Sequence, residues 1–124
     1  MTKGIDVSTW NGNIDWAKVS KSIDFAIIRA GLGRLASQED KRFKTNYQGC
    51  KDNKISIGVY WYNYATTVDD AKAEAKACIE VLKGKTFDMP VWYDIEEKAT
   101  LNTGKANVSK IAETFCEELK AAGY

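Results

Sequence analysis

Apolar positions along the chain fall into two alternating periods. Residues 4–8 (Gly-Ile-Asp-Val-Ser), 25–30 (Phe-Ala-Ile-Ile-Arg-Ala), 55–62 (Ile-Ser-Ile-Gly-Val-Tyr-Trp-Tyr) and 91–96 (Val-Trp-Tyr-Asp-Ile-Glu) are short, β-branched and aromatic, the pattern of strands. Pro90 opens the last of them, and Gly31 with Gly33 is expected to end the second. The segments between read at helical period. Residues 14–22 form a short helix with Ile14, Trp16 and Val19 on its apolar side. Residues 39–53 form a polar helix with Phe43, Tyr47 and Cys50 on one stripe. Residues 68–83, rich in Ala, Lys and Glu, are the clearest helix, and a last one covers 107–122 and stops at Gly123.

Strands alternating with helices predict an α/β fold of parallel strands joined by crossovers, here four βα units in one domain over 1–124. A closed (β/α)8 barrel needs roughly 200 residues or more. The expectation is therefore the first half of an irregular (β/α) barrel, cut after the fourth unit, or a small open α/β sheet. A half-barrel would leave two sheet edges unpaired, which predicts either a homodimer closed through those edges or poor solubility.

Residues two apart on a strand share a face. Ile55, Ile57, Val59 and Trp61 make one apolar set suited to packing under helices; Ser56, Gly58, Tyr60 and Tyr62 make the other, assigned to the lumen. By the same sorting Ile5, Val7, Val91, Tyr93 and Ile95 face the helices. Gly4, Asp6, Ser8, Trp92, Asp94 and Glu96 face inward. Three carboxylates, Asp6, Asp94 and Glu96, thus converge on the lumen, and barrel enzymes place their sites at the C-terminal strand ends. Two acidic residues two apart on a strand have Cβ atoms on the order of 6–7 Å apart, and like charges that close raise one pKa. A carboxyl kept protonated near neutrality can protonate a leaving glycosidic oxygen. An Asp-x-Glu triplet is also common on solvated strand ends; its place after an apolar run, with a third acid on strand one, gives it weight. Tyr60, Tyr62, Trp10 and Trp92 offer aromatic faces on which sugars stack, although the same residues serve equally well as core. Arg29, late in strand two, either faces solvent or serves the carboxylates, because a buried arginine without a partner is costly.

Composition narrows the choices. The net charge of +1 supplies no field toward nucleic acid, and no apolar run approaches the roughly 20 residues of a membrane span, so neither nucleic acid nor membrane insertion is expected. There is no histidine and no Cys-x-x-Cys, which argues against a zinc site, and no cofactor is expected. Cys50, Cys78 and Cys116 each fall in a predicted helix and read as buried thiols. The first residues carry no apolar stretch of roughly 7–15 residues such as an export signal needs, so synthesis in the cytoplasm is expected.

Four motifs, in order, resemble those of glycoside hydrolase family 25 muramidases. They are Gly4-Ile-Asp-Val-Ser-Thr-Trp-Asn-Gly12 followed by Ile14-Asp-Trp16, then Phe25-Ala-Ile-Ile-Arg-Ala-Gly31, then Gly58-Val-Tyr-Trp-Tyr-Asn-Tyr-Ala65, and Pro90-Val-Trp-Tyr-Asp-Ile-Glu96. The resemblance implies an irregular barrel and cleavage of the β-1,4 bond between N-acetylmuramic acid and N-acetylglucosamine in peptidoglycan. It implies Glu96 as general acid, Asp94 as the group that orients the 2-acetamido substituent or stabilises the charged intermediate, and Asp6 as a third acid of the site. Tyr62, Tyr60, Trp10, Trp92 and Arg29 are then candidates for binding the glycan strand. Direct attack by water and substrate-assisted attack by the acetamido group both stay open. An enzyme of this kind made without an export signal resembles phage endolysins, which act on the bacterial wall from within; a bacterial autolysin whose leader has been removed is the alternative. The alternative to a hydrolase is a non-catalytic glycan-binding or assembly module that keeps the groove. A third reading, an α/β enzyme using Asp-x-Glu for a metal, is disfavoured by the missing histidine.

Overall fold

The computed structural model describes residues 2–124. Four strands form one sheet: β1 (Gly4–Val7), β2 (Phe25–Leu32), β3 (Ser56–Tyr62) and β4 (Val91–Asp94). All neighbours are parallel and the spatial order is β1-β2-β3-β4, the order of the chain. A sheet in chain order, with no reversal, is the order of a barrel wall rather than of a doubly wound sheet. The expected first half of a (β/α) barrel is what the chain forms, with β1 and β4 as its edges.

The helices are α1 (Trp16–Val19), α2 (Phe43–Asp52), α3 (Val68–Leu82), α4 (Lys98–Leu101) and α5 (Lys105–Ala121). The start of α3 follows from local chemistry. The Thr67 hydroxyl accepts a hydrogen bond from the Asp70 N–H, and Asp69 and Asp70 place negative charge at the positive end of the helix dipole. The main core lies between the helices and the outer face of the sheet. Ala26, Ile28, Ile57, Val59 and Trp61 are fully buried there, against Phe43, Cys50, Ala75, Cys78, Leu82 and Phe115. The assignment of strand faces from period-two alternation holds in this packing. A smaller cluster of Ala65, Ala71 and Ile111, joined by Tyr93 and Ile95, seals the far end of β4.

Three expectations need correction. β2 does not end at Gly31 but runs to Leu32, because Gly31 and Leu32 stay paired with Trp61 and Tyr62 of β3, and the Trp61 ring lies against that glycine, where a Cβ would come within 2.6 Å of the ring. The first helix is shorter than 14–22: Asp15 caps it and the chain turns after Val19. Cys116 is exposed, unlike Cys50 and Cys78, since the apolar side of α5 is carried by Ile111, Phe115 and Leu119. Three short elements gave no periodic signal: α4 and the 3-10 turns at Thr9–Asn11 and Ala36–Gln38.

One irregularity matters for the site. The β2–β3 register slips by one residue between Arg29, opposite Tyr60, and Gly31, opposite Trp61. The extra residue, Ala30, turns its carbonyl to the Asp40 N–H at 2.8 Å. Bulges of this kind re-aim neighbouring side chains at barrel rims, and here the neighbour is Arg29.

Candidate active site

The inward residues stack in levels set by the strand register. Asp6, Ile27 and Gly58 are paired at one level, Arg29, Tyr60 and Trp92 at the next, and Tyr62 with Asp94 above them, at the C-terminal end. There a cavity of about 430 Å³ opens, lined by the three acids Asp6, Asp94 and Glu96 and by the phenols Tyr60, Tyr62 and Tyr64. Ser8, Trp10 and Arg29 complete its wall. The elements are brought together from sequence-distant strands: Asp6 from β1, Arg29 from β2, the tyrosines from β3 and the loop after it, and the acid pair from β4.

Asp94 and Glu96 are close enough to share a hydrogen bond. Burial, then the neighbouring charge of Glu96 and that hydrogen bond, and lastly the charge of Asp6, push the Asp94 carboxyl up to about 6. Below about pH 6 the Asp94 carboxyl therefore holds a proton that it can share with its neighbour. The phenols respond to the same field. Burial and the negative charges of Glu96 and Glu97 push Tyr62 up to about 12, and burial with Asp6 and Asp94 raises Tyr60 against the opposing pull of Arg29. Near neutral pH both phenols are therefore intact hydrogen-bond donors facing the acids.

The Arg29 guanidinium has a partner the sequence did not suggest. Its Nε donates to Asp40 Oδ2 at 2.8 Å, with the Asp40 side chain wholly buried. The same oxygen accepts the Thr9 N–H at 3.0 Å, and Asp40 Oδ1 accepts the Arg42 N–H at 2.8 Å. A buried ion pair is tolerable when its remaining lone pairs are satisfied in this manner. Asp40 thereby fixes two parts of the wall, the arginine head and the 3-10 turn that carries Trp10. Ser8 tightens that turn by accepting the Trp10 N–H at 3.2 Å, while the Asn11 side chain accepts the Ser8 N–H at 2.9 Å. Trp10 itself is 86% exposed, a bare indole at the rim with no packing role. It also borders a second cavity of about 520 Å³, whose lining includes Arg29, Asp40 and Lys41.

Seven of the eight residues singled out from sequence line one cavity: Asp6, Trp10, Arg29, Tyr60, Tyr62, Asp94 and Glu96. Trp92 is placed apart from them. It is one level below Asp94, 40% exposed, and its ring lies over Gly58, where a Cβ would come within 2.6 Å of it. Ser8, Tyr64 and Asp40 were not singled out. Tyr64 continues the period-two series Tyr60, Tyr62 past the strand end, a signal the sequence carried; its ring centroid is 5.2 Å from that of Tyr62. Among the described residues no group of three or more His, Cys, Asp and Glu could hold a metal ion, and no helix is long and apolar enough to cross a membrane.

Comparison with known proteins shows the family. The sequence profile of Glycosyl hydrolases family 25 matches residues 5–124. The chain is 32% identical over 105 residues to the uncharacterized protein YegX of Escherichia coli K12, covering 80% of this chain and 37% of that one. It is 28% identical over 118 residues to the autolytic lysozyme of Clostridium acetobutylicum, covering 94% of this chain and 34% of that one. Among solved structures, the modular autolysin LytC of Streptococcus pneumoniae superposes with a TM-score of 0.85 at 34% identity, over 99% of this chain and 30% of LytC. The chain thus spans little more than a third of the length of these curated relatives.

Proposed function

The chain belongs to glycosyl hydrolases family 25, and from that premise we propose that its acidic cavity is a peptidoglycan-cleaving site, a muramidase acting on the β-1,4 bond between N-acetylmuramic acid and N-acetylglucosamine. The observation that carries the reading is the convergence of Asp6, Asp94 and Glu96 on one cavity, where burial and the neighbouring acids raise the Asp94 carboxyl. It sits in a polar cavity walled by phenols and an exposed indole. General acid catalysis asks for a carboxyl that still holds its proton close to the working pH. The names of the C. acetobutylicum relative, a lysozyme, and of the pneumococcal neighbour, an autolysin, support a cell-wall substrate.

In this reading Glu96 gives the proton of the pair to the leaving glycosidic oxygen. The hydrogen bond from Glu96 that helps raise the Asp94 carboxyl sets the two groups close together, which favours attack by the substrate's own 2-acetamido oxygen on the anomeric carbon, as the glycosidic C–O bond breaks, over attack by a water held between two widely spaced carboxylates. Asp94 accepts the acetamido N–H and balances the positive charge of the cyclised intermediate; water then opens it, returning a proton to Glu96. Asp6 adds negative charge beneath the forming cation. Tyr60 and Tyr62 donate to sugar oxygens, and Trp10 supplies the stacking face where the strand enters. Glu96→Gln should leave the fold intact and cut clearing of a cell-wall suspension by about 10²–10⁴-fold. Retention of more than about a third of the rate would remove Glu96 from the acid role.

A further inference from the structure

Behind the sheet, on the helix side, lies a carboxylate that the chemistry above does not use. Glu74, on α3, is fully buried. Its Oε2 accepts the Tyr64 N–H at 3.0 Å and its Oε1 accepts the Asn63 side-chain amide at 3.1 Å. The Tyr93 hydroxyl donates to the same Oε1, and Asn63 Nδ2 also donates to the Tyr93 oxygen at 2.6 Å. Burial raises the Glu74 carboxyl while these donors pull it back, so the group depends on keeping all of them.

The partners are not scattered. Asn63 and Tyr64 are the first residues beyond β3, and Tyr93 is on β4 immediately before Asp94. Asn63 donates its own N–H to the Asp94 carbonyl at 2.9 Å, and the Tyr93 ring stacks on Phe115 of α5 at a centroid distance of 3.7 Å. Because alternate residues of a strand point oppositely, fixing the direction of Tyr93 fixes that of Asp94. β4 ends at Asp94, so Glu96 has no ladder of its own to hold it. Resting on the reading of Asp94 and Glu96 as the acid pair, we propose that Glu74 is a positioning residue: by tying the ends of β3 and β4 together behind the sheet it sets the spacing of Asp94 and Glu96 and the placement of Tyr64 at the cavity wall. Held this way, the pair keeps the contact that lets it share one proton.

The test uses this chain with Glu74→Gln, Tyr93→Phe and, as a control, Leu82→Ala, a buried α3 position two turns from Glu74 that takes no part in these hydrogen bonds. A glutamine keeps the size of Glu74 but turns an N–H toward the Tyr64 or Tyr93 donor, and Tyr93→Phe removes the hydroxyl while keeping the stacked ring. Carbon-13 NMR titration of the Asp94 carboxyl reads the pair directly, and initial rates on cell walls read turnover. Glu74→Gln and Tyr93→Phe should each lower the Asp94 midpoint by about half a pH unit or more, as the pair separates. kcat should fall on the order of tenfold with KM changed less than about twofold. Leu82→Ala should lower the melting temperature without moving the midpoint. The proposal is overturned if both network variants keep the wild-type midpoint, or if Leu82→Ala moves it as far as they do. Should Glu74→Gln fail to fold, Tyr93→Phe decides alone. A wild-type chain that releases no product would count against the hydrolase reading, while the titration still decides the role of Glu74.

Discussion

Asp94→Asn should make the protein more stable, and only above the pH at which Asp94 ionises. In the folded chain burial and the Glu96 charge push the carboxyl up to about 6, against about 3.9 for an unfolded aspartate. The folded state binds the proton more tightly, so ionising Asp94 withdraws stability as pH rises from about 4 to about 6, and the loss is complete above that. About two units correspond to ~3 kcal/mol at most. Asp94 is only partly buried, and solvent screening brings the expected cost to about 1–1.5 kcal/mol. Asparagine keeps the shape and cannot ionise, so it escapes the cost. With an unfolding entropy of about 2.1 cal/mol/K per residue over the 124 residues, that gain raises Tm by roughly 4–6 °C. Thermal unfolding followed by far-ultraviolet circular dichroism, wild type against variant, should show the gain at pH 7.5 and most of it lost at about pH 4. An Asp94→Asn variant no more stable than wild type at pH 7.5, or equally favoured at both pH values, would refute the reasoning. Stability held back at a site in this way is the usual cost of preorganised charge.

Removing either neighbour should lower the Asp94 midpoint in a fixed order. Glu96→Gln should move it further than Asp6→Asn, because Glu96 acts through both charge and a hydrogen bond and Asp6 through charge alone; the reverse order in an NMR titration would mean that Asp6 is the closer partner. Asp40→Ala should destabilise the fold by about 3–5 kcal/mol, since it strands the Arg29 guanidinium and also frees the Thr9 and Arg42 N–H groups. A urea midpoint within error of wild type would show that the pair carries no such role. Trp10→Ala should raise KM for glycan strands while leaving kcat and Tm nearly unchanged, because the indole is exposed and packs on nothing; a falling kcat with constant KM would contradict a binding role.

Period-two alternation carried most of the architecture. It placed Ile57, Val59 and Trp61 under the helices and Tyr60 and Tyr62 in the cavity, and it put Asp6, Asp94 and Glu96 on one face before any contact was known. The misses share a physical cause, long-range partners that leave no local pattern. The sequence leaves Arg29 either facing solvent or serving the carboxylates; its partner Asp40 is eleven positions on, where the bulge at Ala30 brings the loop back. Gly31 read as a strand end, yet the Trp61 ring makes glycine the residue that lets β2 continue. Trp92 shares the inward face of β4 with Asp94, but the missing side chain at Gly58 gives its ring another place to lie. Glu74 on a helix rich in Lys and Glu reads as a solvated charge; only the tertiary structure shows that it is buried beneath three donors. Tyr64 was within reach, as the next member of the Tyr60, Tyr62 series.

The most direct test of the account is the identity of the sugar left at the cut. Purified peptidoglycan digested with this protein, then reduced with borohydride and hydrolysed, reports which sugar carried the new reducing end. Muramitol should appear in the wild-type digest and rise with time, with none above background from Glu96→Gln at equal protein. Glucosaminitol in its place, or equal release by both proteins, would contradict it. No release by either, with the glycan still bound, would make the cavity a binding module instead.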